Sequence, residues 1–377
     1  MQNNETPVSK SAAPEPRTPK PAAPKPPARD SRATDQWWRP DIFEGRTDAL
    51  VRRADMVKRL REFFDRRGYV EVDTPALQVS PGMEPHLTAF ETTLGELGGE
   101  RRPVYLHTSP EFAMKKLLAA GMQRIFQLAR VFRDGERSAR HHPEFAMLEW
   151  YRTGAGWQDI AEEAAEFVRA VCDPVVQRGE VSCDLSQPWE FLSVQDAFAR
   201  YTDIDLLATA PDPLNPDTEM LSMFADSLGV RTAETDTWED IFFRIYLDQI
   251  EPQLGIGVAT VLHSYPASMA ALARISPEDP RVADRFEIFI CGLELANGYG
   301  ELTDSAEQRR RFTAMTGQRV AEGRAPYPVD EDFLAALESG IPDCAGIALG
   351  FDRLVMLAAG AESIEDVLWA PVVYPET

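Results

Sequence analysis

The stretch Ile125-Phe126-Gln127-Leu128-Ala129-Arg130-Val131-Phe132-Arg133 runs into a charged segment, 134–142, and then into Phe145-Ala146-Met147-Leu148-Glu149-Trp150-Tyr151. Both apolar runs are rich in residues that favour strands, so they read as an antiparallel hairpin with a long charged loop. By the period of two, residues 125, 127, 129, 131 and 133 share a face, and Arg133 closes a mostly apolar row. In the return strand Phe145, Met147, Glu149 and Tyr151 share a face. A carboxylate in such a strand is costly to bury unless it is paired. The residues alone leave two readings open: a structural Arg133–Glu149 ion pair, or a functional site.

The flanking sequence fills in the fold. Leu50, Ala54, Val57, Leu60 and Phe64 recur at intervals of three and four, which predicts an amphipathic helix starting near Thr47 and ending by Gly68. A short strand, 69–72, follows and is closed by Asp73-Thr74-Pro75, and a second helix is predicted over 110–120. The middle of the chain reads as mainly helical. Ser193-x-x-Asp196 and Thr237-x-x-Asp240 look like capping boxes, and Trp238, Ile241, Phe242 and Ile245 form one apolar face that reads as core. Residues 286–290 and 293–296 read as two strands turning at Gly292, and 346–350 as a strand entering a helix near Asp352. There are no internal repeats. Antiparallel strands with helices in blocks predict an α+β fold rather than a doubly wound parallel sheet.

Composition narrows the functional classes. The 377-residue chain carries 61 acidic against 39 basic residues, a formal net charge of -22, which argues against broad nucleic-acid binding. No run of 18 uncharged apolar residues predicts a membrane span, and no apolar segment near the N-terminus predicts a secretory signal. The four cysteines form no C-x-x-C pair, so neither zinc nor a disulfide framework is indicated and a reducing cytoplasm fits. Residues 1–30 hold eight of the 29 prolines with few apolar residues, so a disordered leader is expected.

Two further features carry chemistry. Glu287, Glu294 and Glu301 recur at intervals of seven. A turn at Gly292 lets the first two face one site, where two carboxylates with phosphate oxygens suit Mg²⁺ and a third acid suits an ammonium group. Solvated edge glutamates are the alternative. Gly346-Ile347-Ala348-Leu349-Gly350-Phe351-Asp352-Arg353 combines glycines that admit a ligand close to the backbone with an arginine at a helix start.

In this order the elements resemble the three motifs of class II aminoacyl-tRNA synthetases. The helix–strand ending at Pro75 is similar to motif 1. Phe132-Arg133-Asp134-Gly135-Glu136 through His141-His142-Pro143-Glu144-Phe145 to Glu149 is similar to motif 2, and Gly350-Phe351-Asp352-Arg353-Leu354 to motif 3. Ser109-Pro110-Glu111, the 287/294/301 glutamates and Asn297-Gly298 resemble the lysyl branch, over residues 47–375. The resemblance divides the chain into a leader, 1–46, and one catalytic domain, 47–377. Only the leader precedes motif 1, which leaves no expected place for the OB-fold that grips the anticodon. The expectation is the stand-alone type of lysyl-tRNA synthetase paralogue, which attaches lysine, preferably (R)-β-lysine, to a lysine of elongation factor P. The runs His263-Ser264-Tyr265-Pro266-Ala267-Ser268 and 147–152 fit that type. Two rivals are a truncated lysyl-tRNA synthetase that charges tRNA and a non-catalytic lysine sensor.

The resemblance implies ATP and Mg²⁺, a homodimer built through motif 1, and no tRNA anticodon or membrane partner. It implies that Arg133 holds the α-phosphate and substrate carboxylate, Arg353 the γ-phosphate, and Glu287 with Glu294 the Mg²⁺. It assigns Glu301, Glu149 and Tyr151 to the substrate's side-chain amine, Glu111 to the other amine, and Ser109, Pro110, Asn297 and Ala348 to the same pocket. Asp134, Gly135, Glu136, His141, His142, Leu295 and Gly350 are implied around the nucleotide. Three positions depart from lysyl-tRNA synthetases. The motif 2 glutamate, Glu136, sits one residue later, His142 replaces an asparagine, and Ala348 replaces a glycine.

Overall fold

The computed structural model describes residues 36–95 and 97–373. Residues 1–35 of the predicted leader lie outside the described residues. Structure begins ahead of the expected boundary at 47: Pro40–Glu44 forms a helical turn, and Arg46 is buried and donates to the Leu368 carbonyl.

The centre is an eight-stranded sheet. In spatial order its strands are Val70–Glu71, Arg124–Phe132, Glu144–Thr153, Cys344–Gly350, Leu293–Gly300, Val282–Ile290, Thr260–Pro266 and Glu190–Ser193. The first and last pairings are parallel and the five between them are antiparallel. The α+β expectation holds, and both predicted hairpins are present. Each extends beyond the predicted run, and Arg133 lies just past the end of its strand, not in it.

The two faces of the sheet differ in chemistry because side chains alternate along each strand. Phe126, Leu148, Trp150, Ile347, Leu349, Ala296, Ile288 and Phe286 face one apolar core. Helix Thr47–Asp65 enters that core with Met56, Leu60, Phe63 and Phe64, and helix Trp157–Val171 with Ile160, Ala164, Phe167 and Val168. The opposite face carries a lateral row set by register: Gln127 opposite Glu149, Glu149 opposite Ala348, Ala348 opposite Asn297, and Asn297 opposite Glu287. The helical segment after Ser193 packs a second core against Phe289 and Tyr265, with Trp238, Ile241, Phe242 and Ile245 buried as expected. Thr237 forms its predicted capping box with Asp240, whereas Ser193 caps its helix only through its side chain, which accepts from the Asp196 N–H. A three-stranded sheet, Leu77–Gln78, Glu91–Gly95 and Arg101–Leu106, has no counterpart in the sequence reading.

One buried ion pair joins distant parts of the chain. Arg53, on the apolar face of helix Thr47–Asp65, donates to Asp352 in the first turn of helix Phe351–Ala359 and to the Val367 carbonyl at 3.2 Å. Asp352 also accepts the Ala146 backbone N–H at 2.8 Å. Asp352 therefore acts as a buried anchor rather than as the helix cap its position suggests. Removing one partner of such a pair strands the other charge, at a cost of about 3–5 kcal/mol. Asp352→Ala is expected to lower the unfolding free energy by about that amount in urea titration; a loss below about 1 kcal/mol, the scale of an exposed pair, would contradict the anchoring role.

Candidate active site

The polar face of the sheet floors a cavity of about 620 Å³. Helix Ser305–Ala321, the loop around Glu84 and the motif 2 loop supply its walls. Arg133, Glu136, His141, His142, Glu294, Leu295, Gly350 and Arg353 all line it, as do Ser109, Glu111, Tyr151, Asn297, Glu301 and Ala348. The residues that sequence reading assembled from four separate segments thus share one space.

Pro110, Asp134, Gly135, Glu149 and Glu287 do not line it. Pro110 caps helix Glu111–Ala119. Asp134 is held through its backbone N–H, which donates to the Thr88 carbonyl at 2.7 Å, and Gly135 follows it in the same turn. Glu149 is fully buried behind the wall, where it accepts from the Ser109 hydroxyl at 2.6 Å and the Tyr151 hydroxyl at 3.0 Å. This excludes the structural Arg133–Glu149 pair. The carboxylate nearest Arg133 is Glu136 at 3.9 Å, and the buried Arg133 Nε has no hydrogen-bond partner among the described residues.

Odd spacing should put Glu294, in strand Leu293–Gly300, and Glu301, just past its end, on opposite faces. A bulge resolves this. Ile288 pairs with Ala296 but Phe289 pairs with Glu294, so Leu295 is an extra residue. Past the bulge Asn297, Tyr299 and Glu301 alternate onto the cavity side with Glu294. The Gly292 turn accounts for the Glu287–Glu294 relation only. Gly346 lies opposite Tyr151, and a Cβ there would meet the Tyr151 ring at 2.2 Å and Glu301 Oε1 at 2.8 Å. No side chain fits at 346, whereas Ala348, two residues on, carries its methyl on the cavity side.

Sequence reading missed Lys115, which is 1% exposed. Its Nζ lies 2.6 Å from Glu111 Oε1 and 2.5 Å from Glu301 Oε2. The i,i+4 spacing from Glu111 on one helix was the available signal. Burial works against the Lys115 charge, but the Glu111 and Glu301 carboxylates outweigh it and hold its pKa above the usual lysine range. Burial lifts Glu301 to about 7, with Lys115 opposing, and lifts Glu149 to about 8, with Glu111 adding.

Arg353 donates to the Glu294 carbonyl at 2.8 Å and lies 2.7 Å from His141 Nε2. Burial depresses the Arg353 pKa, Glu294 opposes this, and Arg133 and Arg140 add to it, so the two motif arginines stand within electrostatic reach of each other. Burial, then Arg353, depresses the His141 pKa, so its ring is neutral at pH 7. His142 is otherwise engaged: Nε2 accepts the Val372 N–H at 3.1 Å, and Nδ1 lies 2.5 Å from the Glu144 carbonyl. It offers the cavity a ring face, not a free nitrogen.

Glu287 accepts from Arg285 at 2.8 Å, and burial lifts it to about 7, Arg285 opposing and Glu294 adding. Two carboxylates in mutual reach are hard oxygen donors that fit Mg²⁺, which needs only one or two of them beside phosphate oxygens. No group of three or more His, Cys, Asp or Glu able to hold a metal occurs among the described residues. No helix among them is long and apolar enough to cross a membrane.

Residues 41–374 match the family of class II tRNA synthetases (D, K and N). The chain is 43% identical over 326 residues to an elongation factor P–(R)-β-lysine ligase of Proteus mirabilis, covering 86% of this chain and 94% of that protein. It is 42% identical over 322 residues to ligases of the same name from Klebsiella pneumoniae and Salmonella paratyphi B, covering 85% of this chain and 93% of each.

The raised carboxyls give the cavity a pH signature. Burial, with Glu111 adding, has Glu149 keep its proton until pH passes about 8. A bound ammonium favours the charged form, so binding releases protons and tightens as pH rises toward 8. Calorimetry at pH 7 in buffers of different ionisation enthalpy is expected to show net proton release on binding a diamino acid, diminished in Glu149→Gln. Proton-neutral binding, with affinity flat from pH 6 to 8.5, would remove the assignment.

Proposed function

The chain belongs to the class II tRNA synthetases of the D, K and N type, and on that premise we propose that it is an ATP-dependent ligase acting on elongation factor P. It activates lysine or (R)-β-lysine as an aminoacyl-adenylate and transfers it to a lysine ε-amine of that protein. The observation that carries this reading is one cavity lined by both motif arginines and by Glu111 and Glu301, a nucleotide clamp beside a pocket for two ammonium groups.

In the first step the amino-acid carboxylate attacks the α-phosphorus of ATP and pyrophosphate leaves. Arg133, whose Nε is unpartnered, holds the α-phosphate and the attacking carboxylate and stabilises the charge that builds there. Arg353 turns from Glu294 and His141 toward the γ-phosphate. Glu287 and Glu294 would hold Mg²⁺, which neutralises phosphate charge when bound. In the second step the acceptor ε-amine, as free base, attacks the adenylate carbonyl. An amide forms, AMP leaves, and the amine proton passes to solvent. Glu301, Glu149 and Tyr151 hold the substrate's side-chain amine. The Ala348 methyl, between Glu149 and Asn297 in the lateral row, narrows the floor and supports a displaced, β-positioned amine.

A homodimer through motif 1 fits the edge of the sheet. Its outermost strand, Val70–Glu71, is two residues long, and Val51, Val70, Leu77 and Val79 of the motif 1 segment and its continuation are exposed. An unpaired edge and exposed apolar side chains call for a cover, and a second copy supplies one.

Intact-mass measurement of elongation factor P, incubated with the enzyme, ATP, Mg²⁺ and each isomer, is expected to show one added aminoacyl unit. Addition is faster with (R)-β-lysine and absent with Arg133→Ala. An unchanged mass with both isomers sinks the proposal, and equal rates with the two isomers sink the Ala348 argument. Sedimentation at micromolar concentration is expected to give the mass of two chains; a monomer throughout would contradict the interface.

A further inference from the structure

Glu84 is a carboxylate in the cavity wall to which neither the motifs nor the mechanism above gives a task. It lies on the loop between Leu77–Gln78 and Glu91–Gly95 and lines the main cavity together with Glu111 and Arg133. Among the described residues it forms no ion pair. The other acids of the pocket are committed: Glu111 and Glu301 share Lys115, and Glu149 is tied to Ser109 and Tyr151.

The loop is built to hold this side chain still. The Pro81 carbonyl accepts from the Thr108 backbone at 3.2 Å and from its hydroxyl at 2.7 Å. Arg319 donates to the Pro85 and Leu87 carbonyls at 2.8 and 2.9 Å, and Met83 is buried. Gly82 has φ +124°, and a Cβ there would stand 2.8 Å from Glu84 Oε2. The backbone thus clears a place for the carboxylate. A half-buried acid with no ion-pair partner within the protein is costly unless a ligand supplies the charge. Burial, then Glu111, raises the Glu84 pKa, with its own backbone N–H, Arg133 and Lys115 opposing.

We propose that Glu84 receives the backbone ammonium, α or β, of the diamino-acid substrate, making it a specificity-determining residue beside Glu111, whose Oε1 Lys115 already engages. This rests on the reading of the cavity as an aminoacyl-adenylate site. The substrate's carboxylate is left to Arg133.

ATP–pyrophosphate exchange with the full chain tests it, using (R)-β-lysine and lysine as substrates and 6-aminohexanoate as inhibitor. The last keeps the side-chain amine and carboxylate but lacks the backbone amine. In Glu84→Gln the KM for both diamino acids is expected to rise about ten- to hundredfold, the range of one charge-assisted hydrogen bond. The KM for ATP and the inhibition constant of 6-aminohexanoate are expected to stay within about twofold, with Glu84→Asp intermediate. Unchanged KM for the diamino acids, or equal weakening of 6-aminohexanoate, overturns the assignment. If the unaltered enzyme shows no exchange with either isomer, the reading of the cavity itself fails and takes the inference with it. Should Glu84→Gln unfold, Glu84→Asp carries the same comparison, and a KM shift common to all three compounds overturns the role.

Discussion

The Arg53–Asp352 pair is the constraint on which the site depends. Arg53 belongs to the helix of motif 1, Asp352 to the helix start of motif 3, and the Ala146 N–H that Asp352 accepts to the return strand of motif 2. Three segments separated by up to 299 residues meet at one fully desolvated carboxylate. Two acceptor oxygens with two different donors fix position and orientation together, as an apolar contact would not. Arg353 follows Asp352 directly, so whatever locates the anchor also aims the neighbouring guanidinium at the cavity.

Register does the rest. The lateral row from Gln127 to Glu287 requires five strands to be aligned to the residue, since a slip by one would send every acid into the apolar core. The bulge at Leu295 shifts the alignment between its two strands, and it brings Glu294 and Glu301 to the same side. The apolar face fixes that register: Trp150, Ile347 and Phe286 can be buried only if Glu149, Ala348 and Glu287 are not on their side.

Much of this was legible in the sequence. Arg133, Arg353 and the seven-residue glutamate series were visible because each interrupts an apolar strand or opens a helix. The hairpins were visible because their alternation is strong. Lys115, Arg53 and Glu84 were not. A charge on a helix or in a loop ordinarily reads as solvated, and its burial is decided by segments hundreds of residues away. Arg53 left a trace, standing within the stripe of Leu50, Met56 and Leu60. The bulge left none, because an inserted residue is defined only against its partner strand. The small sheet was missed for a related reason: its strand Glu91–Gly95 is exposed along its whole length and shows no alternation. Arg46, one residue ahead of the expected boundary, is held by a carbonyl near the other end of the chain.

The contrast between positions 346 and 348 bears on how such an enzyme changes its diet. At Gly346 the ring of Tyr151 and an oxygen of Glu301 already occupy the volume of a first carbon, so mutation there removes the floor instead of reshaping it. Position 348, one pleat further along, already tolerates a methyl. A lineage exploring new amino acids on this scaffold therefore has one adjustable tile in an otherwise fixed pavement, and divergence between isomer preferences should be written there before anywhere else in the strand.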